Sequence, residues 1–263
     1  MIDSPVLTRD LRLAVADDGL SVAYQPIFDL RDHGEQDLRL VSVEALARWT
    51  HPEVGVVAPD RFIRMAENAG FLGDLDEYVL VRAGAQLRAW QDAGFEIGLS
   101  VNASPSHFTA EYVDAVLARL ERLELLPGTL TVEIIEVPSP QLIPAMAEAF
   151  TLLHGAGVTI AVDDFGAGDT TYDMLRMLPI DEVKIDRTLT QSSSDAAEET
   201  VRAIVALATQ HGWHVVAEGI ETDADLTRAR GRGCHRGQGY LLGRPSGPSE
   251  IERLLRGRGQ SAV

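Results

Sequence analysis

Short apolar runs rich in β-branched residues alternate with amphipathic stretches along almost the whole chain, and each run closes on an ionisable or amide side chain. The runs are residues 41–44, 97–102, 130–133, 159–163, 182–186 and 214–218, with a first apolar strand at 20–24. Between them lie helical patterns at 74–93, 110–123, 141–154 and 196–210. Gly94, Gly157 and Gly212 each follow a helical stretch, where a left-handed cap is wanted. Asp195 and Glu198 have capping-box spacing ahead of the last of these helices. Strand–helix alternation over 263 residues requires a parallel sheet, open or closed, and the length suits one α/β barrel of roughly 250 residues.

The closing residues read Glu44, Asn102, Glu133, Asp163 with Asp164, Lys184 with Asp186, and Glu218, and Gln238 follows in GQGYLL. From Asn102 onward the principal positions are 31, 30, 21, 34 and 20 residues apart, about one βα unit each. A parallel barrel collects its strand C-termini on one face, so these groups meet at one mouth. A single carboxylate at a strand end is explained by capping of the next helix. Six successive strands ending this way are not. Two carboxylates ~4 Å apart repel by about 4 kcal/mol at an effective dielectric of about 20, so such a gathering needs cations. Oxygen ligands without Cys or His point to Mg²⁺ or Mn²⁺. Adjacent Asp163 and Asp164 suit a pair of ions in which one carboxylate bridges, the arrangement used for displacement at phosphorus.

Composition narrows the function classes. Forty acidic against 23 basic residues leave a formal charge of −17, which argues against wrapping duplex nucleic acid or coating an anionic membrane. An anionic small substrate stays admissible, because bound cations reverse the local field. One cysteine, Cys234, excludes a disulfide framework and a Cys-based zinc finger. Charges interrupt every apolar stretch near the start, so no signal peptide or membrane span is expected and the protein is expected to be cytoplasmic. Of the 23 basic residues only Lys184 is lysine. Coding bias accounts for much of that, yet an ammonium can lose its proton when buried and a guanidinium cannot.

The motifs YQPI (24–27), EALAR (44–48), HPEVGVVAPDRFIRMAENAG (51–70), SVNAS (100–104), VEIIE (132–136), VDDFGAG (162–168), VKIDR (183–187), AEGIE (217–221) and GQGYLLGRP (237–245) occur in an order that resembles the EAL-domain cyclic di-GMP phosphodiesterases, from about residue 8 to 255. The resemblance implies a TIM-type (β/α)8 barrel whose first strand runs antiparallel, and hydrolysis of cyclic di-GMP to linear pGpG. By motif, it implies one metal held by Glu44, Asn102, Glu133 and Asp163, and a second held by Asp163, Asp164 and Glu218. It places Lys184 beside a nucleophilic water as base or orienter, assisted by Gln238. It gives the substrate to Gln25, Leu46 and Arg48, with Asp186 standing further back, and makes Glu136 the residue that steadies the loop after Asp164. A homodimer through that loop, and sensory or GGDEF modules in a longer parent chain, are further implications. The expected division is a connecting helix at 1–18, the barrel at 19–255 and a flexible tail at 256–263.

Where the family usually has an aromatic and two serines after DDFGAG, this chain has Asp169, Thr170 and Thr171, and Ile135 replaces a common threonine. The loop's order and the turnover rate are what these departures put in question. Other signals are weaker. DFG at 164–166 lacks every other kinase motif. Gly231, Gly233, Gly237 and Gly239 do not give dinucleotide-loop spacing and are read as a tight turn into Gln238. His211, His214, Cys234 and His235 are read as ordinary polar positions rather than zinc ligands, and Trp49, Trp90 and Trp213 as packing. Two rival functions are an EAL-like receptor that binds without cutting, against which stand the intact ligand set and Lys184, and an enolase-like Mg²⁺ enzyme, against which stand YQPI and EALAR.

Overall fold

The computed structural model describes residues 4–31, 38–104, 108–135, 143–168 and 170–257. Helix α1 (Ser4–Ala16) leads into strand β1 (Ser21–Asp29), β2 (Leu40–His51) and β3 (Gly55–Val57). Then follow α2 (Pro59–Asn68), α3 (Leu72–Asp92), β4 (Gly98–Ala103), α4 (Ala110–Leu123), β5 (Leu130–Ile135), α5 (Ile143–Gly155) and β6 (Thr159–Phe165). The second half runs α6 (Tyr172–Arg176), β7 (Glu182–Ile185), α7 (Arg187–Gln191), α8 (Asp195–His211), β8 (His214–Ala217), α9 (Asp223–Gly231), β9 (Arg236–Gln238) and α10 (Pro248–Gly257).

Strands β2, β4, β5, β6, β7, β8 and β9 pair in parallel in that order. Strand β1 closes the ring, antiparallel to both β2 and β9. The result is an eight-stranded TIM-type barrel with an inverted first strand, as the sequence led us to expect. Strand β3 adds a hairpin to the outer end of β2.

Each parallel strand is apolar on its outer face because a helix covers it. Val132, Ile134, Ile160, Val162, Val183, Ile185 and Val215 are all buried in one continuous core with Leu87, Phe150 and Ile204 from the helices. A second, smaller core holds Leu7 and Leu11 of α1 against Trp49, Phe62 and Phe71. Leu7 and Leu11 lie four residues apart and therefore on one helix face. Burying two such side chains contributes about 1.5–3 kcal/mol each. Asp10 adds a 3.3 Å contact to His51, so α1 is fastened to the far end of β2.

Several local expectations shift. Strand β2 does not stop at Glu44 but continues to His51, because Trp49 and His51 pair with the hairpin and pack under α1. Strand β1 extends through Asp29 and so includes Gln25. The cap of α8 is Ser194, whose hydroxyl accepts from the Ala197 N–H at 3.2 Å, rather than Asp195. Glu198 instead accepts from Arg202 and Arg232 at 2.6 and 2.8 Å, so no capping box forms there. Gly94, Gly157 and Gly212 do take positive φ. Arg256 and Gly257 are helical rather than part of a flexible tail, and Arg256 stacks over Phe95 at 5.2 Å; residues 258–263 of the expected tail lie outside the described residues.

Candidate active site

Period-two alternation places Glu44, Leu46 and Arg48 on one side of β2, while Trp49 and His51 face the second core. The register then aligns neighbours. Gln25 pairs with Glu44 across β1 and β2, Asn102 with Glu133 across β4 and β5, and Ile27 of β1 with Gln238 of β9. Paired residues project to the same side of a sheet, so the polar groups share the barrel interior.

Alternation alone would send Asp163 and Asp164 to opposite faces. The β6–β7 register breaks between Val162 and Phe165, and Asp164 takes a left-handed φ of 56°. A bulge of this kind re-aims a side chain next to a site. Its geometry is held by the Asp164 N–H, which donates to Asp163 Oδ1 at 2.9 Å.

Lys184 is fully buried at the centre of the cluster. Its Nζ lies 2.7 Å from Glu133, 2.9 Å from Glu218, 3.1 Å from Asp163 and 3.5 Å from Glu44. Glu44 also accepts from Asn102 Nδ2 at 2.9 Å and Gln238 Nε2 at 2.7 Å. Burial opposes the Lys184 ammonium, but Asp163, Glu133, Glu218 and Glu44 outweigh it and hold its pKa well above the usual lysine value. Burial also raises Glu133, Asp163 and Glu218, the last to about 8, against the pull of Lys184. Glu44 is the exception. There Lys184, Gln238 and Asn102 together overcome burial and lower it.

These shifts fix a sign. Glu133, Asp163 and Glu218 keep protons in the folded protein at pH values where unfolded carboxyls have released theirs. Their contribution is complete below the unfolded pKa and lost as pH rises through the folded one. With chelator present, the melting temperature should therefore fall between about pH 5 and about pH 8. A flat or rising profile in thermal melts would contradict the raised values.

Two sets of carboxylates are near enough to hold ions. Ligand oxygens of Glu44, Glu133 and Asp163 lie within 4.8 Å of one another, and so do those of Asp163, Asp164 and Glu218. Asp163 belongs to both. The residues fit a divalent cation on a further ground: Glu133 Oε1 and Gln238 Oε1 are buried without a hydrogen-bond partner. An unsatisfied buried acceptor costs about 1–3 kcal/mol, which coordination removes. Neither set includes a histidine or cysteine. His211 stacks on Trp213 at 4.6 Å instead, and burial raises the Cys234 thiol to about 12.

The remaining expected residues stand as follows. Leu46 and Arg48 are half-buried, and Arg48 donates to its neighbour's carbonyl, Ala47 O, at 2.8 Å. Gln25 Nε2 approaches Gly243 O at 3.4 Å. Asp186 caps α7, accepting from the Thr188 N–H at 2.8 Å and from its hydroxyl. Glu136 and Asp169 lie outside the described residues. Thr171 caps α6 through Met174 N–H, a job the family's serine can also perform.

One feature escapes the sequence reading, and one expected turn residue gains a sharper reason. Glu182, two residues before Lys184, is buried in a 2.6 Å pair with Arg236 below the cluster; the signal was its period-two spacing. Gly239, next to Gln238, has φ 158°, and a Cβ there would stand 2.2 Å from Ile220 O. That close approach requires glycine and fixes the entry of Gln238.

The EAL domain family model matches residues 8–245. The chain belongs to the EAL domain family. It is 34% identical over 91% of its length to a Pseudomonas aeruginosa protein named cyclic di-GMP phosphodiesterase PA2567, covering 40% of that protein. It is 38% identical over 95% of its length to cyclic di-GMP phosphodiesterase NbdA of the same organism, covering 32% of it. The chain thus spans well under half of these relatives. Among solved EAL structures it superposes on the PaMucR phosphodiesterase in complex with c-di-GMP with a TM-score of 0.85, at 35% identity, covering 93% of this chain and 99% of that one. Among the described residues, no helix is long and apolar enough to cross a membrane.

Proposed function

We propose that this EAL domain hydrolyses one phosphodiester of cyclic di-GMP to give linear pGpG, with two divalent cations, Mg²⁺ or Mn²⁺. The observation that carries it is the sharing of Asp163 between two carboxylate sets around one buried lysine. Glu44, Asn102, Glu133 and Asp163 would hold one ion, and Asp163, Asp164 and Glu218 the other. Such ions, when bound, supply Lewis acidity at the phosphoryl oxygens and lower the pKa of water.

The protein's own groups divide the remaining work. Arg48 donates to a phosphate oxygen, while Gln25 and Leu46 bracket the dinucleotide, with Asp186 behind them. Gln238 orients Glu44 through its 2.7 Å hydrogen bond. Lys184 is protonated while its four carboxylates are uncompensated. Once their charge is taken up, burial is left to favour the neutral amine, which can then accept a proton from the attacking water. Within this reading Glu136 steadies the loop after Asp164. The lengths of the relatives support a longer parent chain, and one match is named a bifunctional diguanylate cyclase/cyclic di-GMP phosphodiesterase.

Incubation with cyclic di-GMP and Mg²⁺ or Mn²⁺, with products resolved by chromatography, should give linear dinucleotide, and none with chelator. Binding without any linear product would replace the enzyme by a receptor.

A further inference from the structure

The barrel interior beneath the site is filled unevenly. Along each parallel strand, the residue two positions before a site residue points the same way and lies deeper. On five strands these residues are short and uncharged: Ser42, Ser100, Thr131, Ala161 and Val216, all buried. On the other two they are long and charged, Glu182 before Lys184 on β7 and Arg236 before Gln238 on β9. Barrel interiors are ordinarily packed with branched apolar side chains, so an ion pair at this depth stands apart.

The pair bridges strands that do not meet. Strands β7 and β9 both neighbour β8 but not each other. Lys184 and Arg236 are each in register with Val216 of β8. Past that position Arg236 Nη1 donates to Glu182 Oε2 at 2.6 Å, and Glu182 is only 2% exposed. Arg236 has an alternative. It also lines a cavity of about 720 Å³ at the N-terminal ends of the strands, and an arginine beside open space can extend its head toward water. It turns to the buried carboxylate instead.

The two strands so joined carry Lys184, whose Nζ meets four carboxylates, and Gln238, which donates to Glu44 at 2.7 Å. A buried ion pair is weak evidence for a stabilising role, because apolar side chains of similar volume often serve the fold as well. What apolar contacts lack is direction. A charge-assisted hydrogen bond fixes the spacing and orientation of the groups it joins.

Resting on the function proposed above, we propose that Glu182 and Arg236 are a positioning pair that holds Lys184 and Gln238 at their working places under the carboxylates. The pair acts through these two residues and not on the substrate. Its loss therefore lowers kcat and leaves KM, because a displaced Lys184 weakens the transition state and not the contacts of the bound dinucleotide.

The test uses Glu182→Met/Arg236→Met, which keeps the volume and removes the charges. In chelator this double variant should melt no lower than wild type. Its kcat for cyclic di-GMP at saturating Mn²⁺ should fall roughly tenfold to a hundredfold with KM unchanged. Lys184 is the sole lysine of the chain, so isotope-labelled lysine gives an NMR side-chain signal from this residue alone, in the metal-free protein. That signal should shift or split in the double variant. In Arg236→Ala, guanidinium ions admitted through the cavity should restore part of kcat. A double Met variant with wild-type kcat overturns the proposal, and so does one whose lysine signal is unchanged. A loss of turnover that merely follows a lower melting temperature also overturns it, since the pair would then serve folding. If wild type binds cyclic di-GMP without cutting it, the phosphodiesterase reading fails while the lysine signal still decides the positioning.

Discussion

Asp163→Asn should abolish hydrolysis and at the same time leave the metal-free protein as stable as wild type, or more so. Asp163 is the one carboxylate common to both ligand sets, so an amide there weakens two ion sites at once. Losing about 4 kcal/mol of transition-state stabilisation is roughly a thousandfold in rate, and metal-assisted chemistry supplies at least that much. Stability should move the other way because burial already raises the pKa of Asp163, with Glu44 adding like-charge repulsion. An isosteric neutral group relieves both. The amide can still face Lys184 through its carbonyl oxygen, in place of the present 3.1 Å contact. Asp164→Asn is the contrasting variant. It belongs to one set only, and asparagine tolerates the left-handed backbone at this position, so one ion should remain. Metal content per chain, activity and melting in chelator together check the prediction. Two ions retained by Asp163→Asn would remove the bridge from the mechanism.

Why the site was so legible is a matter of contrast. Strands covered on their outer faces by helices are apolar there, so Glu133, Asp163, Lys184 and Glu218 stand out as intrusions. Their spacing then follows the βα repeat. Lys184 was conspicuous for a second reason, as the sole lysine among 23 basic residues. What stayed hidden depends on non-local packing. The termination of β2 at Glu44 was inferred from polarity, but Trp49 and His51 find their partners in α1, α2 and the hairpin, and those contacts carry the strand on. Nothing in the dipeptide Asp163–Asp164 announces a bulge, because whether a strand keeps its alternation is decided by the partner strand's register. The Ser194 cap was misplaced by one residue because two acidic residues offered the same spacing one step later, where Arg232 and Arg202 claim Glu198. Gly239 was recognised as a turn residue, whereas the Ile220 backbone it must pass is 19 positions away in sequence and invisible to local reading.

Lys184→Met should unfold at a markedly lower temperature in chelator and recover when Mg²⁺ or Mn²⁺ is added. The ammonium is the single cation within 4.0 Å of Glu133, Asp163 and Glu218 among the described residues, and it makes these contacts with no solvent exposure. Taking one partner from a buried ion cluster costs about 3–5 kcal/mol. For a chain of this size that is a melting shift on the order of 10 °C. Burial already raises Glu133, Asp163 and Glu218, the last to about 8, so the deficit should be largest where these carboxyls ionise, at and above about pH 8, and shrink as they take up protons at lower pH. Bound cations supply the missing positive charge directly, which is why they should repair stability in this variant more than in wild type. They should not repair hydrolysis, because methionine neither holds nor accepts a proton. Lys184→Arg separates the two duties. Its guanidinium preserves the countercharge, so the metal-free melting temperature should lie nearer wild type, yet it cannot act as a base and turnover should be lost. An Arg variant that cuts cyclic di-GMP at the wild-type rate would reject Lys184 as proton acceptor. A Met variant equally unstable with and without cations would show instead that the lysine stem's packing, and not its charge, holds the barrel mouth together.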